Sequence, residues 1–455
     1  MQDTGTTLKR SLSVWQLVVL GLGFMTPMVI FDTFGIASDM TGGHVTGAYI
    51  LALIALLFTA GSYVFMIRAY PSAGSAYTYT QKSFNPHLGF MVGWLALMDY
   101  LFLPMVNALI AQIYLASIFP DVPTWIFIVL FVVVMTLINL LTVKGTANLN
   151  STFVIFQLVM VAAFVVFAAW GIINGTVEGK LWYPEAIFTT GIDSSSLIAG
   201  ATLLVFSYLG FDAVAGFSEE TADPKRTIPR ALFLTALLGG LMFMISSYFV
   251  QTLYPTAADF EDFTASTPEI AAKFGSVFFQ VLFLAAGFAG TIASAVSSQA
   301  SVSRLMYAMG RDRMMPSAWF SRINSRSRTP LFNIVLVGAI SLTAILFSLE
   351  TAASFINFGA LIAFSFVNLS VISHYVVKNK QLHSALDYLR YLVVPIIGTA
   401  AMVIMWFSLD RNSWILGLVW LLLGFICLLY TTKLFKVKPA EFQLDSKTEE
   451  PTITM

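Results

Sequence analysis

Scarcity narrows this chain before any motif does. There is one cysteine, Cys427, so neither an intrachain disulfide nor a cysteine metal cluster can form. Placed in an apolar run, it reads as an inert core thiol. The four histidines, His44, His87, His374 and His383, are scattered without metal-ligand spacing, and no serine or cysteine nucleophile motif is present. An enzyme is therefore not expected, nor a metal or other cofactor. Charge is also scarce: 11% of the 455 residues are charged, against about 25% in soluble proteins. The 24 basic residues balance the 24 acidic ones and form no long basic run, which sets nucleic acid aside as a partner.

What fills the chain is apolar: 58% hydrophobic residues and a mean hydropathy of +0.81. Runs of roughly 20 such residues are long enough to cross a bilayer. They fall at 13–36, 46–67, 88–116, 124–142, 153–173, 197–217, 231–253, 276–308, 331–348, 352–377, 389–408 and 413–432. The first is too long for a signal-peptide core and no cleavage pattern follows it, so it reads as a retained span. The expectation is an all-α polytopic membrane protein with twelve transmembrane helices and no soluble domain. A short cytoplasmic segment (1–12) precedes the membrane domain (13–433), and a polar tail (434–455) follows it. With the N-terminus inside, 21 of the 24 basic residues fall on the cytoplasmic side, all but Lys180, Lys273 and Arg411. A miscount of spans would scramble that alternation, so the positive-inside bias supports the count and places both termini in the cytoplasm. The six arginines of residues 304–330 are explained by contact with anionic membrane lipid and by topology setting.

Only three of the acidic residues fall inside predicted spans: Asp32, Asp99 and Asp212. A charge at mid-membrane costs on the order of 2.5–3.5 kcal/mol on insertion scales, so such carboxylates face a cavity and hold something. Asp212 is flanked by Gly210 and Gly216. Asp32 lies in a first span interrupted by Gly21, Gly23, Pro27 and Gly35, and the two breaks share a pair, Phe31-Asp32 and Phe211-Asp212. Two broken spans five apart are what an inverted repeat of five helices produces, with the ligand at the repeat interface and spans 11 and 12 as additions. For Asp99, pairing with a neighbouring helix and contact with a substrate both fit. At the end of span 6, Glu219 and Glu220, with Asp223, Lys225, Arg226 and Arg230, form either a solvated cluster or a gate over the inner face.

The strings PSAGSAYTYTQKS (71–83), FSYLGFDAVAGFSEETADPKRTIPRA (206–231) and RLMYAMGRDRMMP (304–316) resemble signatures of the amino acid/polyamine/organocation transporter superfamily. FDTFGI (31–36), NPHLGFMVGW (85–94), LMDYLFLPM (97–105), INFGALIAFSFVNLSV (356–371) and LGLVW (416–420) bring it nearer to bacterial putrescine importers. The resemblance covers about residues 10–435. It implies the leucine-transporter-type five-plus-five inverted repeat and secondary active uptake across the bacterial inner membrane. Carried over by position, it puts Asp212, Phe206, Asp32, Asp99 and Tyr100 at the substrate, with Ser298 on span 8 and Asn357 on span 10 as further contacts. Two departures matter. The glycine-serine-glycine turn that offers free amides to an amino-acid carboxylate is absent from span 1, where the corresponding stretch reads PMVIFD. The lysine that some proton-coupled relatives carry in span 5 is absent from 153–173. If protons are coupled, a carboxylate must carry them: Asp32, Asp99 or Asp212.

A diamine has two ammonium heads and an apolar stem, so its site needs separated carboxylates and aromatic walls. On this reading Asp212 and Asp32 hold the heads, with Phe31, Tyr100, Phe206, Tyr208 and Phe211 as walls, and Asp212, Glu219 and Glu220 take part in coupling or gating. The expected activity is inward transport of putrescine or a similar polyamine by alternating access, coupled to protons rather than sodium. A cationic amino-acid permease is the alternative. A membrane scaffold that transports nothing is disfavoured by carboxylates in two broken spans.

Overall fold

The computed structural model describes residues 12–70, 76–141, 146–221, 223–311, 315–324, 329–437 and 439. Every regular element among them is helical. Among the described residues nine helices are long and apolar enough to cross a membrane, and a bent pair, Val14–Phe24 with Val29–Thr41, passes the same test together. Two shorter apolar helices, Thr124–Leu140 and Leu331–Leu346, accompany them.

Local chemistry sets the helix ends. Helix α1 (Val14–Phe24) starts from a capping box in which Ser13 accepts from the Gln16 amide and Gln16 accepts from the Ser13 amide. It stops before Pro27, which has no N–H to donate and drives its predecessor out of helical geometry; Thr26 takes a positive φ of 50°. Helix α2 (Val29–Thr41) resumes at 49° to α1 and ends on Gly42 in the left-handed conformation. Next come α3 (Val45–Ala69), the short α4 (Ala76–Ser83) and α5 (Pro86–Ile118), the last capped by Asn85 and carrying Pro104 inside it. Helices α6 (Thr124–Leu141) and α7 (Thr146–Ile173) close the first half.

The second half opens with α8 (Ser194–Tyr208), capped by Asp193. It breaks at Leu209–Phe211, where Gly210 has φ +107°, and continues as a tighter 3₁₀ helix over Asp212–Glu220. Helix α9 (Pro224–Leu253) leads to a segment of short helical pieces ending in α10 (Ser266–Ala272), then to the 35-residue α11 (Val277–Arg311). Beyond lie α12 (Ser317–Phe320), α13 (Leu331–Leu342), α14 (Leu349–Val371), α15 (Ala385–Tyr388), α16 (Val394–Phe407) and α17 (Arg411–Thr431).

Burial sorts these helices into centre and rim. Helix α3 packs on α9, and α5 packs on α11 and α14. Of the span around α14, 78% is buried, against 22% and 17% for those around α16 and α17, so the last two lie at the edge where lipid would cover them. Even there the docking is specific: the indole N–H of Trp94 donates to the carbonyl of Trp420 and that of Trp420 to the carbonyl of Trp94, at 2.9 and 2.8 Å, clamping α17 to α5. Both helix breaks sit inside this frame, side by side.

Candidate functional site

At the two breaks lies a cavity of about 50 Å³. The first break contributes Phe24, Met25, Thr26 and Val29; the second contributes Phe206, Leu209, Gly210, Asp212 and Ala213; α5 closes it with Asp99, Tyr100 and Leu103. Among the described residues no lysine, arginine or histidine lines it. The breaks touch directly, because a Cβ on Gly210 would come within 2.5 Å of the Phe24 Cβ and 2.8 Å of the Phe24 carbonyl carbon.

Two carboxylates face this cavity. The Tyr63 hydroxyl on α3 donates to Oδ2 of Asp212 at 3.2 Å, and the Tyr63 ring is itself held edge-on by Tyr79, Phe211 and Phe364. Asp99 has no hydrogen-bond or ion-pair partner among the described residues. One residue on, Tyr100 adds an aromatic wall, and Pro104 leaves the Tyr100 carbonyl without its usual helical donor four residues later. The arrangement is electron-rich throughout: two carboxylates that repel each other, two aromatic rings, Tyr100 and Phe206, and unwound backbone. An organic cation is the ligand that such a lining stabilises.

Asp32 sits elsewhere. It lies on α2 three residues beyond Val29, about 4.5 Å of helix rise, and is buried outside the cavity lining. Its Oδ1 accepts from the Tyr114 hydroxyl of α5 at 2.9 Å and from the Thr267 hydroxyl of α10 at 2.7 Å. Next to it, Ser266 donates to the Phe31 carbonyl at 2.7 Å and accepts from the Gly35 amide at 3.2 Å. The α10 segment lies so close to α2 that a Cβ at Gly35 would collide with the Phe263 carbonyl. This cluster ties α2, α5 and α10 together.

The remaining sequence candidates divide. Asp99, Tyr100, Phe206 and Asp212 come together in the cavity. Phe31 instead points into an aromatic cluster, 4.9 Å from Phe164 and 4.8 Å from Phe283. Tyr208 is buried with its hydroxyl on the Tyr49 carbonyl at 2.9 Å, and Phe211 packs on Tyr63 and Phe364. Ser298 donates to Ala295 within its own helix at 3.1 Å. Asn357 donates to the carbonyls of Thr202 and Leu203 at 2.8 and 3.1 Å, fixing α14 against α8. Glu219 and Glu220 end the 3₁₀ helix, and their side chains lie outside the described residues.

Residues that sequence reasoning passed over also matter. Tyr63, Tyr114, Ser266 and Thr267 carry no sequence signal, since each acts through a partner far along the chain. Gln157 of α7 is another. Its Oε1 accepts from the Met28 amide at 3.3 Å, and the side chain lies against Gly290 of α11, where any Cβ would strike it. With Pro27 lacking an N–H and the Met28 amide taken, the first break offers little to a carboxylate ligand.

Comparison with known proteins adds three findings. The sequence model of the amino acid permease family matches residues 16–438. Over 429 residues the chain is 45% identical to the low-affinity putrescine importer PlaP of Escherichia coli (strain K12), covering 94% of this chain and 95% of that protein. At 25% identity it is similar to the branched-chain amino acid permease BcaP of Bacillus subtilis (strain 168), with 94% of each chain covered, and to cationic amino acid transporter 4 of Mus musculus, with 81% of this chain and 60% of that protein covered.

Proposed function

The chain belongs to the amino acid permease family, and from that premise we propose that it imports putrescine or a similar polyamine across the bacterial inner membrane. One observation carries the reading: Asp99 and Asp212 face a single cavity that no cationic side chain among the described residues lines. Holding one carboxylate at membrane depth without a counter-charge is expensive and holding two side by side is more so. A diamine removes both costs at once. We assign its heads to Asp99 and Asp212, its stem to Phe206 and Tyr100, and Asp32 to the gate rather than to the ligand.

The proposed architecture counts the bent pair as span 1 and the two shorter apolar helices as spans 4 and 9. That makes twelve spans, with spans 1–5 and 6–10 as inverted repeats and both termini cytoplasmic. Transport then requires alternating access. On this reading the Asp32 cluster closes the α10 side, and opening that side means breaking those bonds. Coupling to protons, rather than sodium, follows if one of the cavity carboxylates binds a proton with each cycle. A cationic amino-acid permease fits less well, because its substrate brings a carboxylate to a break whose Met28 amide is already engaged and whose Pro27 has none.

The test is uptake of labelled putrescine into proteoliposomes, with the pH gradient and sodium varied separately. Accumulation driven by an inward proton gradient and abolished by an uncoupler is expected. Uptake that needs sodium and ignores the uncoupler would remove the coupling assignment, and no amine uptake under any gradient would remove the function.

A further inference from the structure

A second and larger cavity, about 290 Å³, lies on the far side of the Asp32 cluster from the first. Its floor borders that cluster: Ile36 stands one helical turn beyond Asp32 on α2, and Phe263 and Thr264 come shortly before Ser266, with Ala265 between. Its walls carry Gln112 of α5, Trp125 of α6 and Glu350 of α14. Again no lysine, arginine or histidine among the described residues lines it.

Glu350 is the informative residue. It is half-buried in the first turn of α14 and has no hydrogen-bond or ion-pair partner among the described residues. Capping does not account for it, since Ser348 already accepts from the Thr351 amide at 3.2 Å. The surrounding field is negative. Asp39 and Asp410 both act on Glu350. Besides Glu350, the helix ends and connections on this face carry ten carboxylates from Asp39 to Asp410, against Lys180, Lys273 and Arg411 as the only lysines and arginines. One of those three, Lys273, is engaged over the Tyr254 ring at 4.4 Å. A tryptophan at this depth also serves as an interface anchor, but an anchor needs no cavity shared with an unpaired carboxylate. Tryptophan offers the best cation–π face, the carboxylate neutralises an ammonium, and the Gln112 amide oxygen can accept from it. Field lines focused into such a cleft raise the local concentration of cations.

We propose that this cavity is a second binding site for alkylammonium cations of the class the importer carries, filled while the gate is shut and emptied inward when the Asp32 bonds break. The inference rests on the importer reading above and adds a staging site to it. The ligand is held between Glu350 and Trp125, and the site is separate from the one formed by Asp99 and Asp212.

Equilibrium binding of labelled putrescine to the full-length protein in lipid nanodiscs tests the proposal. Two equivalents per chain are expected for the unmodified protein. Glu350→Gln, and separately Trp125→Ala, should weaken one of them about tenfold or more while leaving the other; Asp212→Asn should lose the other instead. One equivalent in the unmodified protein, or two that survive unchanged in both Glu350→Gln and Trp125→Ala, overturns the second site and leaves the importer standing. No binding of putrescine at all overturns the importer reading and the second site with it.

Discussion

Substituting alanine at Gly210 and, in parallel, at Gly216 puts the contact between the two helix breaks to a quantitative test. Both glycines flank Asp212, and in sequence they look equivalent. In space they are not. Gly210 has φ +107°, and a Cβ there would lie 2.5 Å from the Phe24 Cβ and 2.8 Å from the Phe24 carbonyl carbon; a Cβ at Gly216 meets nothing within 4 Å. A left-handed backbone costs a non-glycine residue about 1–2 kcal/mol, and overpacking against backbone that cannot rotate away costs about 1–3 kcal/mol more. The sum, about 2–5 kcal/mol, acts against any state in which the breaks touch, and at 1.4 kcal/mol per tenfold it shifts that equilibrium about thirtyfold to a few thousandfold. Insertion depends on apolar length, which neither change alters. Initial rates of labelled putrescine uptake, normalised to protein in the membrane, should therefore fall at least about thirtyfold for Gly210→Ala and stay within about twofold for Gly216→Ala. Equal rates for the two variants, or a Gly210→Ala rate within threefold of the unmodified protein, would refute the packing of the two breaks described here.

Three further outcomes are expected. Asp212→Asn should nearly abolish uptake with normal membrane levels, because the amide keeps the size but loses the charge that offsets a buried ammonium; unchanged uptake at limiting and saturating substrate removes Asp212 from the site. Asp32→Asn should leave putrescine binding within about threefold but speed hydrogen exchange of residues 263–272, since a bond to a charged acceptor is worth about 1.5–3 kcal/mol and one to a neutral acceptor about 1; a loss of binding as complete as for Asp212→Asn would return Asp32 to the substrate. In competition with labelled putrescine, cadaverine should outcompete lysine by roughly a hundredfold or more, the effect of a ligand carboxylate set beside Asp99 and Asp212 without donors; equal inhibition by the two would promote the amino-acid permease reading.

Membrane character, long apolar helices, the two interruptions and the carboxylates within apolar segments were all readable from the sequence, because each depends on local composition. An apolar run of about 20 residues, a proline without an N–H and an aspartate in hydrocarbon carry their cost wherever the chain folds. Of the four residues read as interrupting the first span, Gly21, Gly23, Pro27 and Gly35, it is Pro27 that lies in the break at Met25–Met28, whereas the ligand was expected to reach Asp32, a turn further along α2. That turn decided the role of Asp32. Three residues of rise carry it out of the cavity and under α10, where Thr267, 235 residues away in the chain, bonds to it. Likewise Asp99 was ambiguous in sequence, since whether α5 turns it toward Asp212 or toward a neighbouring helix depends on the rotation of a 33-residue helix set by α11 and α14. Phe31, Tyr208 and Asn357 illustrate the same limit: their residue types suit a binding site, and packing against Phe164, Tyr49 and α8 turned them to other work. Sequence fixes which groups a membrane cannot ignore, because desolvation is a property of the group itself. Which of them share a cavity is a property of helix rotation and register, and only contacts made far along the chain determine those.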